Sequence, residues 1–488
     1  MDNHKKNTNI AEEVGDRASD GVAYLNLGTH YKSLNDLPKA MECFKKASNN
    51  AREAGDRATE GKAYLNLGIV YDCLRMVYDR LSYLPKAIDC FEKASNNAKE
   101  AGDRTTVGKA YLQLGAAHNL GRDLPKAIEY FEKSLSIARE AGDRTTEGKA
   151  YLHLGVVHDS RSDLPKAIEC FEKSLSTSRE ACDRATEGIA YLKLGEVYIS
   201  RSDLPKAIEY LEKASNKAWE AGDLETEGKA YFNLGTAYDS SCDLPKAMQC
   251  FEKASKYARK AGNRQTEGIA YLNLGGVYKC SGDLPKAMEC FQKAANKASE
   301  ARDRGTEGKA YYNLGIVYKC SSDLPKAMEC FQKASNKARE AGDLDTEGKA
   351  YFNLGTAYDS SCDLPKAMEC FVKALNYARE AGDRTTEGEA FLSLGMCYNF
   401  RSDLPKAIEC IEKALNKARE AGDRDREGKA SLNLGVVYNS HGDHPKAIEC
   451  FEKASNYARE GCDRDTEDRK STRLNSSHMS ESRMPSSA

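Results

Sequence analysis

One motif recurs along almost the whole chain and constrains the fold more than any other feature. The tetrapeptide Leu-Pro-Lys-Ala, with one His-Pro-Lys-Ala variant, places a proline at the same point of each unit. The first interval between these prolines is 47 residues and every later one is 40, at Pro38, Pro85, Pro125, Pro165, Pro205, Pro245, Pro285, Pro325, Pro365, Pro405 and Pro445. Such a period is typical of solenoids, in which each unit stacks on its neighbours. We therefore predict eleven repeats over residues 21–467 of the 488.

Each unit has the pattern of two amphipathic helices joined by a turn. Before the proline of the second unit, Tyr64, Leu67 and Tyr71 fall on one helix face. After the proline of the first unit, Ala40 and Phe44 begin a second apolar face. Two helices of this size cannot bury their apolar faces alone, so the units must stack.

The residues between and within the helices support this division. Asp36 stands before Leu37-Pro38, which predicts an N-cap and a proline in the first helical turn. Gly55 is predicted to end the second helix in a left-handed conformation, and Asp56 to cap the next first helix. A glycine at the position of Gly28 recurs in every unit, although glycine inside a helix costs about 1 kcal/mol relative to alanine. We therefore expect close helix-on-helix packing there.

Composition narrows the function classes. Lys plus Arg number 73 and Asp plus Glu 75, mixed along the chain, which argues against a nucleic-acid or anionic-membrane binder. No apolar stretch resembles a signal peptide or a membrane span, so we expect a cytoplasmic protein without membrane insertion. Phosphate-binding, dinucleotide-binding, zinc-protease and nucleophile-elbow motifs do not occur. We predict no enzyme activity, no cofactor and no metal.

Cysteine usage favours packing over disulfides or metal sites. Nine of the seventeen cysteines recur at one position of the second helix. They precede an aromatic residue or Ile, as a small apolar residue would: Cys43, Cys90, Cys170, Cys250, Cys290, Cys330, Cys370, Cys410 and Cys450. The count is odd and no CxxC pair occurs, so we expect reduced structural thiols.

Seven positions of each unit resemble the tetratricopeptide repeat consensus, represented by Tyr24, Leu27, Gly28, Tyr31, Ala40, Phe44 and Ala47. The resemblance implies an all-α fold, a right-handed superhelical solenoid of helix-turn-helix tetratricopeptide repeats. The 40-residue unit, with its Gly-Asp-Arg, Glu-Gly and Leu-Asn-Leu-Gly motifs, is similar to repeats of G-protein-signalling modulators of the Pins/LGN type. It also resembles large invertebrate tetratricopeptide proteins, some of which carry a caspase-like CHAT domain.

Three segments depart from the repeat. The second unit has seven extra residues around 76–82, which predict a longer helix or a projecting loop, and Tyr83 replaces the capping Asp. Residues 1–20 are predicted to form a partial repeat or cap. Residues 468–488 resemble the translation of a sequencing adapter, so we interpret them as a disordered assembly artefact; the alternative is a natural serine-rich tail.

The strongest functional signal is a polar position between the two leucines of Leu-Asn-Leu-Gly. We call it the polar row: Asn26, Asn66, Gln113, His153, Lys193, Asn233, Asn273, Asn313, Asn353, Ser393 and Asn433. Four residues earlier, on the same helix face, lies the lysine row: Lys62, Lys109, Lys149, Lys229, Lys309, Lys349 and Lys429. The alternative reading is an ordinary solvated helix face.

The resemblance would place both rows in a concave groove. We predict that the groove consists of the lysine row together with Asn66, Gln113, His153, Asn233, Asn273, Asn313, Asn353 and Asn433. Amides suit the backbone of an extended peptide and Lys suits a carboxylate, so we expect extended, acidic-leaning partner segments. The leading hypothesis is a scaffold or adaptor for other proteins, with roles in cell polarity and spindle orientation if the Pins/LGN resemblance extends to function. Binding of Gα would require GoLoco motifs beyond the repeats.

Two further hypotheses stay open. The repeats could form the regulatory arm of an enzyme, such as a CHAT-domain protease encoded beyond Glu467. They could also belong to a co-chaperone that binds acidic C-terminal peptides.

Overall fold

The computed structural model describes residues 17–78, 81–457 and 459, and over these residues the chain consists of helices and turns without strands. It divides into two compact units, one up to Ala261 and one from Gly262. The first contains repeats 1–6 and the second repeats 7–11. The predicted terminal segments 1–20 and 468–488 lie outside the described residues, except for residues 17–20. The prediction of an all-α repeat fold is confirmed.

Every repeat contains a first and a second helix. The first helices of repeats 1–11 are Arg17–Ser33, Arg57–Tyr78, Arg104–Leu120, Arg144–Ser160, Arg184–Ser200, Leu224–Ser240, Arg264–Cys280, Arg304–Cys320, Leu344–Ser360, Arg384–Phe400 and Arg424–Ser440. The second helices are Leu37–Glu53, Leu84–Glu100, Leu124–Ala141, Leu164–Glu180, Leu204–Ala221, Leu244–Lys260, Leu284–Glu300, Leu324–Ala341, Leu364–Ala381 and Leu404–Ala421, followed by 444–457.

The predicted caps form. The Asp36 carboxylate accepts a hydrogen bond from the Lys39 amide at 3.2 Å, and Asp56 accepts one from the Thr59 amide at 3.0 Å. Gly55 adopts φ 74°, the left-handed conformation that ends the second helix. Each turn therefore stops one helix and starts the next within a few residues.

Glycine and phenylalanine set the distance between the two helices of a repeat. A Cβ placed on Gly275 would lie 2.7 Å from two ring carbons of Phe291, and Phe291 itself is fully buried. The same contact recurs between Gly68 and Phe91 and in most other repeats, with Leu211 or Ile411 in place of the ring in two of them. The expectation of close packing at this glycine is therefore correct.

An ion pair between a half-exposed arginine and a buried glutamate joins consecutive repeats. The carboxylate of the Glu-Gly motif is almost fully buried, and an arginine from the preceding second helix donates to it, as Arg179 does to Glu187 at 2.9 Å. The same pair recurs at Arg52–Glu60, Arg139–Glu147, Arg339–Glu347 and Arg379–Glu387. Charge-assisted bonds to an otherwise buried carboxylate fix how one repeat seats on the next.

Within each of the two compact units, the stack of repeats curves toward its first helices. Inside each compact unit, first helices of neighbouring repeats approach one another with Cα atoms within 8 Å, whereas second helices of neighbouring repeats do not within the described residues. Helices that lie closer together occupy the inner side of a bent stack. The first helices therefore line the concave side within each unit.

The insertion in repeat 2 lengthens its first helix to 22 residues and adds a short 3₁₀ helix, Leu81–Tyr83. Tyr83 makes no side-chain cap bond; its ring stacks on Tyr71 with centroids 6.2 Å apart. Of the two structures predicted for the insertion, the longer helix is the one that forms.

Candidate protein-binding surface

The polar row lies on the first helices and is mostly half-buried, with Asn26 exposed and Asn353 buried. Five asparagines donate from the side-chain amide to the backbone carbonyl four residues earlier, at 2.8 to 3.1 Å: Asn66, Asn273, Asn313, Asn353 and Asn433. In four of these the accepting carbonyl belongs to the lysine row. This bond fixes the orientation of the amide before any ligand arrives.

Three lysines that the sequence analysis did not single out complete this surface. Lys32, Lys279 and Lys319 donate to the amide oxygens of Asn66, Asn313 and Asn353 in the following repeat, at 2.6, 3.1 and 3.2 Å. Each stands six residues after the polar-row position of its own helix. That position holds Asp or Asn in most other repeats, so no regular pattern marked it.

The lysine row is less available than the sequence suggested. Four of its members reach the N-cap Asp of the next repeat at 3.6 to 3.8 Å, at Lys62–Asp103, Lys149–Asp183, Lys309–Asp343 and Lys349–Asp383. Lys229 and Lys429 pair within their own helices, and Lys109 is exposed. Such exposed pairs are weak, so they hold these ammonium groups only loosely.

Lys279 and Lys319 differ from the lysine row. Among the described residues, no carboxylate lies within ion-pair distance of either ammonium group. Burial lowers the pKa of Lys319, which is half-buried and also donates to the Thr356 hydroxyl at 2.9 Å. A partly desolvated cation held only by neutral oxygens has unused capacity for an anion.

Charge on the same face is different in repeats 4–6. Glu196 pairs with Lys193 at 2.7 Å and accepts from the Asn233 amide at 3.1 Å. Burial raises the pKa of the nearby Asp159 carboxyl. The face is therefore mixed in charge here, whereas Lys279 and Lys319 have no ion-pair partner among the described residues.

Gln113 and His153 of the polar row are brought together at a cavity of about 240 Å³ in repeats 2–4. The His153 ring stacks on Phe131 with centroids 5.2 Å apart. Burial, and secondarily Lys149, lowers the pKa of His153 to about 4, so the imidazole is neutral near pH 7. Sequence reasoning found these two residues but not the cavity between them.

The described residues offer neither a metal site nor a membrane span. Within residues 17–78 and 81–457, no group of three or more His, Cys, Asp or Glu side chains could hold a metal ion. No helix among the described residues has the length and apolar character required to cross a membrane.

Family models agree with the repeat architecture. A tetratricopeptide repeat model matches residues 106–180, 144–218, 186–260, 265–340, 306–380 and 387–460, and a second such model matches residues 22–53. Together these matches cover well over half of the chain. No curated protein sequence matches it.

Solved structures show the same fold at low identity. A signal transduction ATPase with a tetratricopeptide repeat sensor, from Pyrococcus horikoshii, is 17% identical with a TM-score of 0.55, over 80% of this chain and 54% of that one. The apo form of the quorum sensor NprR from B. thuringiensis is 15% identical with a TM-score of 0.50, over 73% of this chain and 97% of that one.

Proposed function

Since this chain belongs to the tetratricopeptide repeat family, we propose that it is a non-catalytic scaffold that holds extended segments of partner proteins against its first helices. The observation that carries the proposal is the polar row. Its amides are half-buried, oriented by their own backbone and repeated on the concave side of each unit. An amide so fixed can pair with the main chain of a peptide without a large loss of side-chain entropy.

The partner segment is expected to carry acidic side chains where it crosses repeats 7–9. Lys279 and Lys319 support this, because each is a groove-side cation held by an asparagine and not by a carboxylate. A carboxylate from a ligand would supply the missing counter-charge at a partly desolvated site.

The test is to select binders from a random peptide library with the full chain and compare variants of repeats 7–9. Replacing Asn273, Asn313 and Asn353 together by Ala should lower the affinity for the selected peptides about tenfold or more, since each lost hydrogen bond contributes about 1 kcal/mol. The matched control replaces Asn296 and Asn336, exposed on second helices, and should bind as the parent does.

Two results would count against the proposal. Equal losses in the variant and the control would show that the effect is not specific to the concave side. Undiminished binding by the triple variant would remove the polar row as the site. A separate substitution of Lys279 and Lys319 by Met should reduce binding of acidic peptides only, with the reduction vanishing at high salt.

The finer role rests on resemblance alone. A function of the G-protein-signalling-modulator type, with Gα as a partner, depends on the 40-residue unit and would require GoLoco motifs outside residues 21–467. We also propose a cytoplasmic location, on the basis of composition and not of resemblance. Reading the transcript past the codon for Glu467 would show whether GoLoco motifs follow the repeats, and expressing the chain with a fluorescent tag would test its location.

A further inference from the structure

The cavity in repeats 2–4 lies on the same side as the polar row but differs from the rest of that surface. Its polar-row members are Gln113 and His153, where most other repeats have Asn. Its inner wall includes Phe91, a nearly fully buried ring. With a volume of about 240 Å³, it exceeds the roughly 150 Å³ engineered cavity that accommodates benzene. It can therefore receive a whole aromatic side chain.

Two small residues help to open this cavity. Ala116 and Ala117 line it, whereas the corresponding positions in the next repeat hold Val156 and Val157. Loss of side-chain volume at adjacent positions leaves space that the backbone of a helix cannot close.

The cavity has no net charge to select an ion. Its two charged residues, Asp72 and Arg75, pair with each other at 2.9 Å. His153 is neutral near pH 7 because its pKa is lowered to about 4. The amides of Gln113 and Asn119 line the cavity, and neither has a side-chain hydrogen-bond partner within the part of the chain that the structure describes. This combination fits an apolar group attached to a peptide main chain.

An apolar surface continues from the cavity. Leu120, which lines it, is 43% exposed. Beyond Arg75, the lengthened first helix of repeat 2 continues into Met76, Val77 and Tyr78, which are 68%, 62% and 58% exposed. Three consecutive exposed apolar residues therefore follow Arg75, a lining residue of the cavity, in the same helix.

We propose that repeats 2–4 contain an anchor pocket for one aromatic side chain of the bound partner segment, seated among Phe91, Ala116 and His153. The Gln113 and Asn119 amides bind the main chain beside it, and the lengthened helix contacts the residues that follow. The pocket rests on the proposed function, because its ligand is the same extended segment. It adds a specificity determinant that the regular asparagine pattern does not provide.

The experiment uses the full chain and the random peptide library described above. Peptides retained by the chain should share one Phe, Tyr or Trp. Ala116→Leu fills the cavity and should lower the affinity for these peptides roughly 30-fold, which is the effect of losing a buried aromatic anchor. Thr236→Leu makes the equivalent change in repeat 6 and should leave their affinity unchanged.

A second variant covers the case in which Ala116→Leu disturbs packing. Leu120→Ser changes a partly exposed lining residue and should lower the affinity for the aromatic peptides about tenfold. The circular dichroism spectrum and the unfolding midpoint of this variant should equal those of the parent. Replacing the aromatic residue of a selected peptide by Ala should remove the difference between the parent and both variants.

The possible failures are distinguishable. If the parent chain retains no peptide, both the groove and the pocket are refuted. If peptides are retained but lack an enriched aromatic residue, or bind Ala116→Leu and Leu120→Ser as tightly as the parent, the pocket is refuted and the groove stands. If Thr236→Leu weakens binding as much as Ala116→Leu, the effect is not local and the pocket is again refuted.

Discussion

Two adjacent glycines in repeat 7 allow the packing of the whole array to be tested with two single substitutions. Gly275 and Gly276 lie side by side in the helix Arg264–Cys280. A Cβ on Gly275 would meet the Phe291 ring at 2.7 Å, whereas a Cβ on Gly276 would have no heavy atom within 4 Å. Replacing each by Ala therefore changes the same helix in the same way, except for one contact.

The magnitude follows from two opposed terms. Alanine is favoured over glycine inside a helix by about 1 kcal/mol, and both variants gain this term. Gly275→Ala also forces a methyl group against a fully buried ring, and overpacking of this kind costs about 1 to 3 kcal/mol. We expect Gly276→Ala to raise the free energy of unfolding by about 1 kcal/mol. Gly275→Ala should be less stable than Gly276→Ala by about 1 to 3 kcal/mol.

Urea unfolding followed by circular dichroism provides the comparison, since the difference between the two midpoints cancels the shared helix term. A third variant, Gly275→Ala combined with Phe291→Ala, removes the ring that the methyl group meets. In the Phe291→Ala background, Gly275→Ala should become neutral or stabilising, and the resulting coupling energy should equal the clash.

The reasoning fails if Gly275→Ala stabilises the chain as much as Gly276→Ala does. In that case the recurring glycine would not be required by the Phe ring, and the close approach of the two helices would need another explanation.

Three other perturbations have defined outcomes. Trp219 occupies the position at which other repeats have the arginine that pairs with the buried Glu. The arginine of a Trp219→Arg variant should bond Glu227 and raise the free energy of unfolding, measured in urea, by about 1 kcal/mol. An unchanged free energy of unfolding would contradict the pairing scheme. The pKa of His153 in the folded chain lies below its unfolded value near 6.5. The contribution of the neutral imidazole to the free energy of unfolding is therefore fully present above pH 6.5 and is lost as the pH falls toward 4. His153→Gln should reduce that loss by about 2 kcal/mol in unfolding curves at pH 7 and 4.5, and an unchanged loss would contradict this prediction. Lys319→Met should destabilise the chain by about 1 kcal/mol because Asn353 loses a hydrogen-bond donor. Lys109 is exposed, so Lys109→Met should change the free energy of unfolding by no more than about 0.5 kcal/mol in the same assay. Equal effects of the two substitutions would contradict this prediction.

The sequence predicted the repeat, the two helices per unit and their caps because these depend on local features. Asp36, Pro38 and Gly55 act within one turn of the helix end they define, so their effect can be recognised without knowing what packs nearby. The close contact at the glycine that faces Phe was also predictable, because glycine occurs there in every repeat although it is less favourable than alanine inside a helix. The nine recurring cysteines are buried or half-buried and form no disulfide with the other described residues, as their position before an apolar residue indicated.

Side-chain partners across repeats were not predictable in the same way. The lysine row was expected to face a ligand, but several of its members pair with the N-cap Asp of the next repeat, as Lys62 does with Asp103. The role of Lys319 was not predictable either, because its ammonium group donates to Asn353, 34 residues away in the next repeat. Such contacts depend on how two repeats seat on each other.

The amino-acid sequence by itself determined that the chain is a stack of helical pairs and which helix of each pair carries the polar row, because helical period, caps and repeat length are properties of short segments. The tertiary structure decided which polar groups are already paired, where an uncompensated cation remains and where small residues leave a cavity. Distances between side chains on neighbouring repeats follow from the packing of whole helices, and the Ala116 cavity exists only because three consecutive repeats are stacked around it.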